Sequence, residues 1–132
     1  MIENVLAIET SCDDTSVAIV RRDGWVHGMV SSNQDLAHAV FGGVVPEIAS
    51  RNHTITLLPL VEQALKKSQK NWDAIGGVVV TSRPGLLGSL LVGVVTAKSL
   101  ALAKRVPLLG VNHLEGHLLA PFLSDEAYAP SM

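Results

Sequence analysis

The two histidines of His113-Leu-Glu-Gly-His117 are the clearest chemical signal in the sequence. Histidines four residues apart on a helix share one face, so their imidazole nitrogens can bind the same cation. Zinc and iron sites need at least three protein ligands, so this pair would form only part of a site. His27, His38 and His53 are too scattered to nominate as a third ligand. The alternative interpretation is an incidental pair on an exposed helix face.

The spacing in this segment argues against a zinc protease of the His-Glu-x-x-His type. In those enzymes the glutamate directly follows the first histidine and can reach the metal-bound water. Here Leu114 follows His113, and Glu115 is rotated by about 200° around the helix from that histidine. Gly116 also weakens the helix. The geometry therefore does not fit a peptidase.

A polar turn after the first apolar run could bind a phosphate or its metal. Its sequence is Glu9-Thr-Ser-Cys-Asp-Asp-Thr15, which offers hydroxyls, carboxylates and backbone N–H groups. Glu9, Thr10 and Ser11 are the candidate contacts. The turn lacks the Gly-x-x-x-x-Gly-Lys spacing of a P-loop, so that class of site is excluded. An ordinary solvated turn is the alternative.

A second candidate turn, Thr81-Ser-Arg-Pro-Gly-Leu-Leu-Gly-Ser89, leads from a strand into a helix. A helix N-terminus directed at the ends of strands is a natural anion site. Arg83 and Gly85 are its candidate contacts. The alternative is tight packing, with Pro84 setting the start of the helix.

Apolar patterning predicts the elements that position these segments. Three strands come first and form an antiparallel start, because turn signals separate them. A helix begins at Pro46, places Leu58 on its apolar face, and should be kinked or divided at Pro59. The order β-β-β-α-β-α-β-α predicts an α/β fold with one mixed five-stranded sheet and helices on its faces. The predicted ranges are strands 5–8, 16–20, 25–31, 73–81 and 106–111, and helices 46–70, 86–104 and 113–123.

Composition limits the class of protein further. The 132 residues fit one domain, and with 48% hydrophobic but only 4% aromatic residues the core is aliphatic. A net charge of -2 predicts no broad electropositive face, so this chain alone should bind nucleic acid weakly. The single cysteine, Cys12, and the absence of a secretory signal fit the cytoplasm. The most apolar stretch, 84–97, is about 14 residues and shorter than a membrane span.

Four segments together resemble the TsaD family, also called YgjD or Gcp, whose archaeal and eukaryotic branch is the Kae family. They occur in the family's order and cover nearly the whole chain. One departure is Arg83, where the family usually has glycine; its guanidinium could face a phosphate or solvent. The segments are Ile8-Glu-Thr-Ser-Cys-Asp-Asp-Thr15, Phe41-Gly-Gly-Val-Val-Pro-Glu-Ile-Ala-Ser-Arg-Asn-His53, Pro84-Gly-Leu-Leu-Gly-Ser-Leu-Leu-Val-Gly93 and Asn112-His-Leu-Glu-Gly-His-Leu-Leu-Ala-Pro121.

The resemblance implies a ribonuclease-H-like lobe of the actin-like ATPase type. Residues 1–123 would be the N-terminal lobe, and residues 124–132 the start of a linker to a second lobe that this chain lacks. The implied activity is transfer of a threonylcarbamoyl group from threonylcarbamoyl-AMP to the adenosine next to the anticodon of tRNA. The implied metal is iron or zinc, held by His113, His117 and an aspartate of the second lobe. ATP or threonylcarbamoyl-AMP is the implied nucleotide ligand.

The adenine amine is the nucleophile of this implied reaction, so the enzyme mainly positions and polarises its substrates. No catalytic residue is nominated in this lobe, which we expect to be inactive alone, and Cys12 is interpreted as a packing or turn residue. The implied partners are tRNA, a TsaB-like paralogue and other threonylcarbamoylation subunits. A homodimer through the lobe helices is also possible, and no membrane is expected.

Two other functions compete with this one. A TsaB-like protein has a similar lobe but serves as a non-catalytic partner, and it lacks the histidine pair. The older assignment of the family as an O-sialoglycoprotein endopeptidase, a metalloprotease, conflicts with Leu114 in the position of the catalytic glutamate.

Overall fold

The computed structural model describes residues 2–119, in which five strands form a single mixed sheet. The spatial order is β3-β2-β1-β4-β5. The first three strands pair antiparallel, whereas β4 pairs parallel with both β1 and β5. This confirms the predicted α/β fold with a mixed five-stranded sheet. The strands are β1 (Asn4–Glu9), β2 (Thr15–Arg21), β3 (Val26–Ser32), β4 (Gly77–Arg83) and β5 (Leu108–Asn112).

The helices follow the predicted order, with two short additions. A five-residue helix precedes the long one, and a 3-10 turn precedes β4 in a stretch predicted as strand. The last predicted helix is described only as far as Leu119, and the predicted linker 124–132 lies outside the described residues. The helices are α1 (Asp35–Ala39), α2 (Pro46–Ser68), α3 (Leu87–Lys104) and α4 (His113–Leu119), and the 3-10 turn is Trp72–Ala74.

Helix α2 runs without interruption through Pro59, so the predicted division is wrong. Pro59 lies on the exposed side, where the backbone carbonyl that it leaves without a helical partner can bond to water. The placement of Leu58 on the apolar face is also wrong, because its side chain is 54% exposed. The buried stripe instead comprises residues at three- and four-residue spacing: Ala49, His53, Leu57, Leu60, Val61, Ala64 and Leu65.

Helix α3 turns its small residues toward the sheet. Its buried positions recur every four residues and are Ser89, Gly93, Ala97 and Ala101. The 18 residues of the helix have a mean hydropathy of 1.5, so by length and composition alone it could cross a membrane. The apolar stretch is thus longer than the roughly 14 residues that the sequence indicated, although core helices of soluble proteins pass the same test.

Both long helices pack on the same face of the sheet, since residues of each join one core with alternate residues of β1, β2 and β4. Strand β1 contributes Leu6 and Ile8, and β2 contributes Val17 and Ile19. The intervening residues, including Ala7, lie on the opposite face. The parallel arrangement of β1, β4 and β5 brings their carboxyl ends to one edge.

Candidate functional site

The sequence candidates for chemistry meet at the carboxyl edge of β1, β4 and β5. Glu9 is the last residue of β1, Arg83 the last of β4 and Asn112 the last of β5. Arg83 and Asn112 are partners in the β4–β5 register, and α4 begins directly after Asn112. In open α/β sheets ligands bind at this edge of the strands.

The two histidines of α4 direct one ring nitrogen each toward the same point. Nε2 of His113 lies 2.9 Å from Nε2 of His117, and the rings stand nearly perpendicular with centroids 4.5 Å apart. The helix start is held by the side chain of Asn112, whose Oδ1 accepts from the backbone N–H of Leu114 at 2.8 Å. The two histidines therefore lie on one face of α4, as the spacing predicts.

Glu9 fixes the orientation of the first of these rings. Its Oε2 accepts from Nδ1 of His113 at 3.0 Å and from the hydroxyl of Thr81. Its Oε1 accepts from the backbone N–H of Ser11. Partial burial opposes ionisation, but hydrogen bonds from Ser11, Thr81 and His113 outweigh it and hold the pKa of Glu9 below its usual value. The carboxylate is thus a persistent acceptor for the Nδ1 proton.

This arrangement fits a metal half-site. A proton on Nδ1, assigned from the acceptor beside it, leaves Nε2 of His113 unprotonated. In this structure its lone pair accepts from Nε2 of His117, and the same lone pair is the one that could bind a cation. A carboxylate behind a ligating histidine is the usual outer partner of zinc and related metals. Within residues 2–119 no third His, Cys, Asp or Glu joins the pair, so the described part of the chain supplies two ligands.

Packing and hydrogen bonds hold the other candidate residues of the two turns, 9–15 and 81–89. The hydroxyl of Thr10 donates to the backbone carbonyl of Ser89 at 2.6 Å and is fully buried. Ser11 is buried too, and its hydroxyl lies 3.2 Å from Nδ1 of His113. A Cβ at Gly85 would lie 2.4 Å from the Ser11 carbonyl oxygen, so only glycine allows this approach. Arg83 is exposed and lies opposite Asn112, the residue before His113, in the strand register.

Cys12 lies in the turn with an exposed side chain, as expected for a turn residue. Partial burial and the neighbouring Asp13 raise the pKa of its thiol. A raised thiol pKa disfavours the thiolate, so this residue has no sign of nucleophilic activation.

Sequence reasoning missed the contact between Glu9 and His113. The two residues are 104 positions apart, and only the parallel pairing of β4 with both β1 and β5 brings them together. The available signal was that Glu9 comes directly after one predicted strand and His113 closely follows another. His38 and His53, which the sequence analysis did not nominate as ligands, are buried in α1 and α2 with hydrogen-bond partners of their own.

The family model described as "TsaD: tRNA N6-adenosine threonylcarbamoyltransferase" matches residues 26–132. A protein of that name from Bdellovibrio bacteriovorus is 68% identical over 130 residues, which is 98% of this chain and 38% of the relative. One from Trichlorobacter lovleyi is 55% identical over 126 residues, 96% of this chain and 37% of the relative. The chain thus spans less than two fifths of the length of these curated relatives.

Among solved structures, YeaZ from Pseudomonas aeruginosa superposes with a TM-score of 0.60 at 23% identity. The match covers 83% of this chain and 44% of that one. A second structure, of an uncharacterized protein with similarity to peptidase YEAZ from Pseudomonas aeruginosa, gives the same TM-score at 22% identity. It covers 84% of this chain and 44% of that one. At this identity the likeness shows the fold alone, a ribonuclease-H-like lobe of the actin-like type.

Proposed function

Because the chain belongs to the tRNA N6-adenosine threonylcarbamoyltransferase family, we propose that it forms the N-terminal lobe of such an enzyme. The full protein would transfer the threonylcarbamoyl group from threonylcarbamoyl-AMP to the adenosine next to the anticodon of tRNA. The observation that carries this proposal is the convergence of His113 Nε2 and His117 Nε2 at the carboxyl edge of the sheet. A tRNA substrate suits the cytoplasm, which we propose as its location.

In the proposed mechanism His113 and His117 hold one divalent metal, iron or zinc, whose third protein ligand comes from outside residues 2–119. Bound there, the metal would neutralise charge on the carboxylate or carbamoyl end of the substrate. Glu9 keeps the Nδ1 proton of His113 in place and so presents Nε2 to the cation. The adenine amine would attack the carbamoyl carbon of threonylcarbamoyl-AMP, with release of AMP and loss of one amine proton, and the lobe would contribute position and polarisation.

Arg83 is the residue that we propose to contact the phosphate of the adenylate or of ATP. Its guanidinium is exposed at the rim of the same edge, and Arg is well suited to phosphate geometry. Thr10 and Gly85 would act through packing, since one has its hydroxyl bonded to Ser89 and the other lies against Ser11. Ser11 and Glu9 would face the metal pair and not the phosphate.

A chimera tests the transferase function directly. Residues 1–130 of this chain would replace the matching part of the Bdellovibrio bacteriovorus relative, which supplies the rest of its length. We expect incorporation of threonine-derived label into tRNA by the chimera with its partner subunits. The isolated chain should give none. An inactive chimera that is folded, or turnover by this chain alone, would contradict the two-lobe proposal.

Loss of label in the chimera should follow from His113→Ala or His117→Ala. The matched control is His27→Ala, since His27 lies on β3, away from the pair. Equal activity in all three variants would remove the histidine pair from the proposed mechanism. A TsaB-like, non-catalytic role would predict that result, because such a protein lacks the pair.

The proposed partner surface is the outer apolar face of α2 and α3. Leu87, Leu91 and Val95 recur at four-residue spacing on α3 and are 83%, 58% and 52% exposed. Ile55 on α2 is 70% exposed. Exposed apolar patches of this kind mark protein interaction sites. We propose a TsaB-like paralogue as the occupant, because the chain has the same fold as YeaZ and helices of like lobes can pack against each other.

Binding of a purified TsaB-like protein, measured by light scattering and calorimetry, tests this surface. We expect a complex that Leu91→Glu abolishes, while Glu3→Gln, at an exposed residue just before β1, leaves it intact. Self-association without partner binding would favour the homodimer instead. A monomer that binds no such paralogue would contradict both forms of the proposal.

A further inference from the structure

We propose that His53 is a positioning residue of the metal pair, acting through the turn between β1 and β2. The inference rests on the proposed metal site at His113 and His117. His53 lies on α2 with its side chain fully buried, on the face of the helix that packs against the sheet. It is thus a polar member of the buried side of α2, to which the aliphatic residues Leu57, Leu60 and Val61 also belong.

Both ring nitrogens of His53 bond to the turn. Nε2 lies 2.7 Å from the backbone carbonyl oxygen of Cys12, and Nδ1 lies 2.7 Å from the hydroxyl of Thr15. A carbonyl oxygen can only accept, so Nε2 is the donor in the first bond. One side chain of α2 therefore spans the turn from residue 12 to residue 15.

The segment held in this way is continuous with the metal pair. Ser11 directly precedes Cys12; its backbone N–H donates to Glu9 and its hydroxyl lies 3.2 Å from His113 Nδ1. The carbonyl of Ser11 accepts from the backbone N–H of Leu86 at 2.8 Å, which joins the turn to the start of α3. A shift of the Cys12 carbonyl would move Ser11, because the two residues are adjacent in the chain. It would therefore displace the Ser11 hydroxyl beside His113 Nδ1 and the Ser11 N–H that donates to Glu9.

A purely structural role is the competing explanation. Burying an imidazole costs more than burying a hydrocarbon unless both nitrogens are bonded, and here both bonds go to the turn. If His53 only stabilised the fold, any equally destabilising substitution on the buried side of α2 would weaken Zn²⁺ binding to the same extent. If His53 positions the turn, its loss weakens metal binding beyond that effect.

The test is Zn²⁺ binding by this chain, followed through the ring ¹⁵N and ¹H signals of His113 and His117. We expect His53→Leu to weaken the Zn²⁺ affinity about threefold to tenfold, less than the loss of a direct outer partner of a metal ligand. His53→Gln should recover most of the affinity, because the glutamine amide can donate to the Cys12 carbonyl. Thr15→Val should give a smaller loss, and it serves as the measurement if His53→Leu does not fold.

Leu57→Ala is the matched control, one turn along α2 and only 1% exposed. It should lower the melting temperature while leaving the Zn²⁺ affinity unchanged. Equal Zn²⁺ affinity in the wild type, His53→Leu and Thr15→Val would overturn the positioning role and leave the proposed metal site intact. Failure of the wild-type chain to bind Zn²⁺ at the pair would overturn both.

Discussion

The carboxyl edge of the sheet and the outer face of α2 and α3 differ in how their side chains are held. At the edge, Glu9 accepts from Ser11, Thr81 and His113, three residues of three different segments. On the outer face, Leu91 and Val95 are more than half exposed. Substitutions at the edge should therefore change ligand affinity or folding, whereas substitutions on the outer face should change association alone.

Removing the imidazole rings of both histidines should have the largest effect on Zn²⁺ binding at the carboxyl edge. His113→Ala combined with His117→Ala should weaken Zn²⁺ binding at least about a hundredfold, beyond the usual loss of an outer partner. Isothermal titration calorimetry measures it, with His27→Ala as the control. Zn²⁺ affinity that survives the double substitution would place the metal elsewhere.

The second-largest effect is expected from adding a side chain where α3 packs against the turn between β1 and β2. A Cβ at Gly93 would lie 2.3 Å from the Thr10 hydroxyl oxygen, so Gly93→Val should lower the free energy of unfolding by about 1–3 kcal/mol. Urea unfolding measures this. Val95→Ala, on the exposed side of the same helix, should change it by less than about 0.5 kcal/mol. Equal values for the two variants would mean that the edge is not tightly packed.

Glu9→Gln should weaken Zn²⁺ binding about tenfold, since the amide no longer provides a charged acceptor for the His113 Nδ1 proton. Glu115→Gln is the matched control, because that exposed glutamate lies on the same helix as the pair. We would abandon the orienting role of Glu9 if both variants bound Zn²⁺ as the wild type does. The readout is again calorimetric.

The smallest change in stability is expected on the outer face. Leu91→Glu should change the free energy of unfolding by less than about 0.5 kcal/mol, because the side chain is already 58% exposed. Urea unfolding and light scattering should be run on the same samples. A large loss of stability would show that Leu91 belongs to the core and would erase the contrast with the edge.

Local patterns were sufficient for much of the fold. Short apolar runs on either side of a polar turn located β1 and β2, and the mixed sheet followed from the order of the elements. The same reasoning failed at Leu58, because Leu57 and Leu58 are adjacent apolar residues and only one of them can face the sheet. On α3 the residues that face the sheet are the small ones, Ser89, Gly93, Ala97 and Ala101.

The sequence by itself determined the histidine pair, because residues four apart on a helix share a face whatever surrounds them. It also excluded the protease arrangement, because Leu114 takes the place of the glutamate. Only the tertiary structure decided which carboxylate stands behind His113 and which side chain holds the turn at Cys12. Both contacts join residues far apart in the chain, and their formation depends on strand pairing and on the packing of α2, which local spacing does not encode.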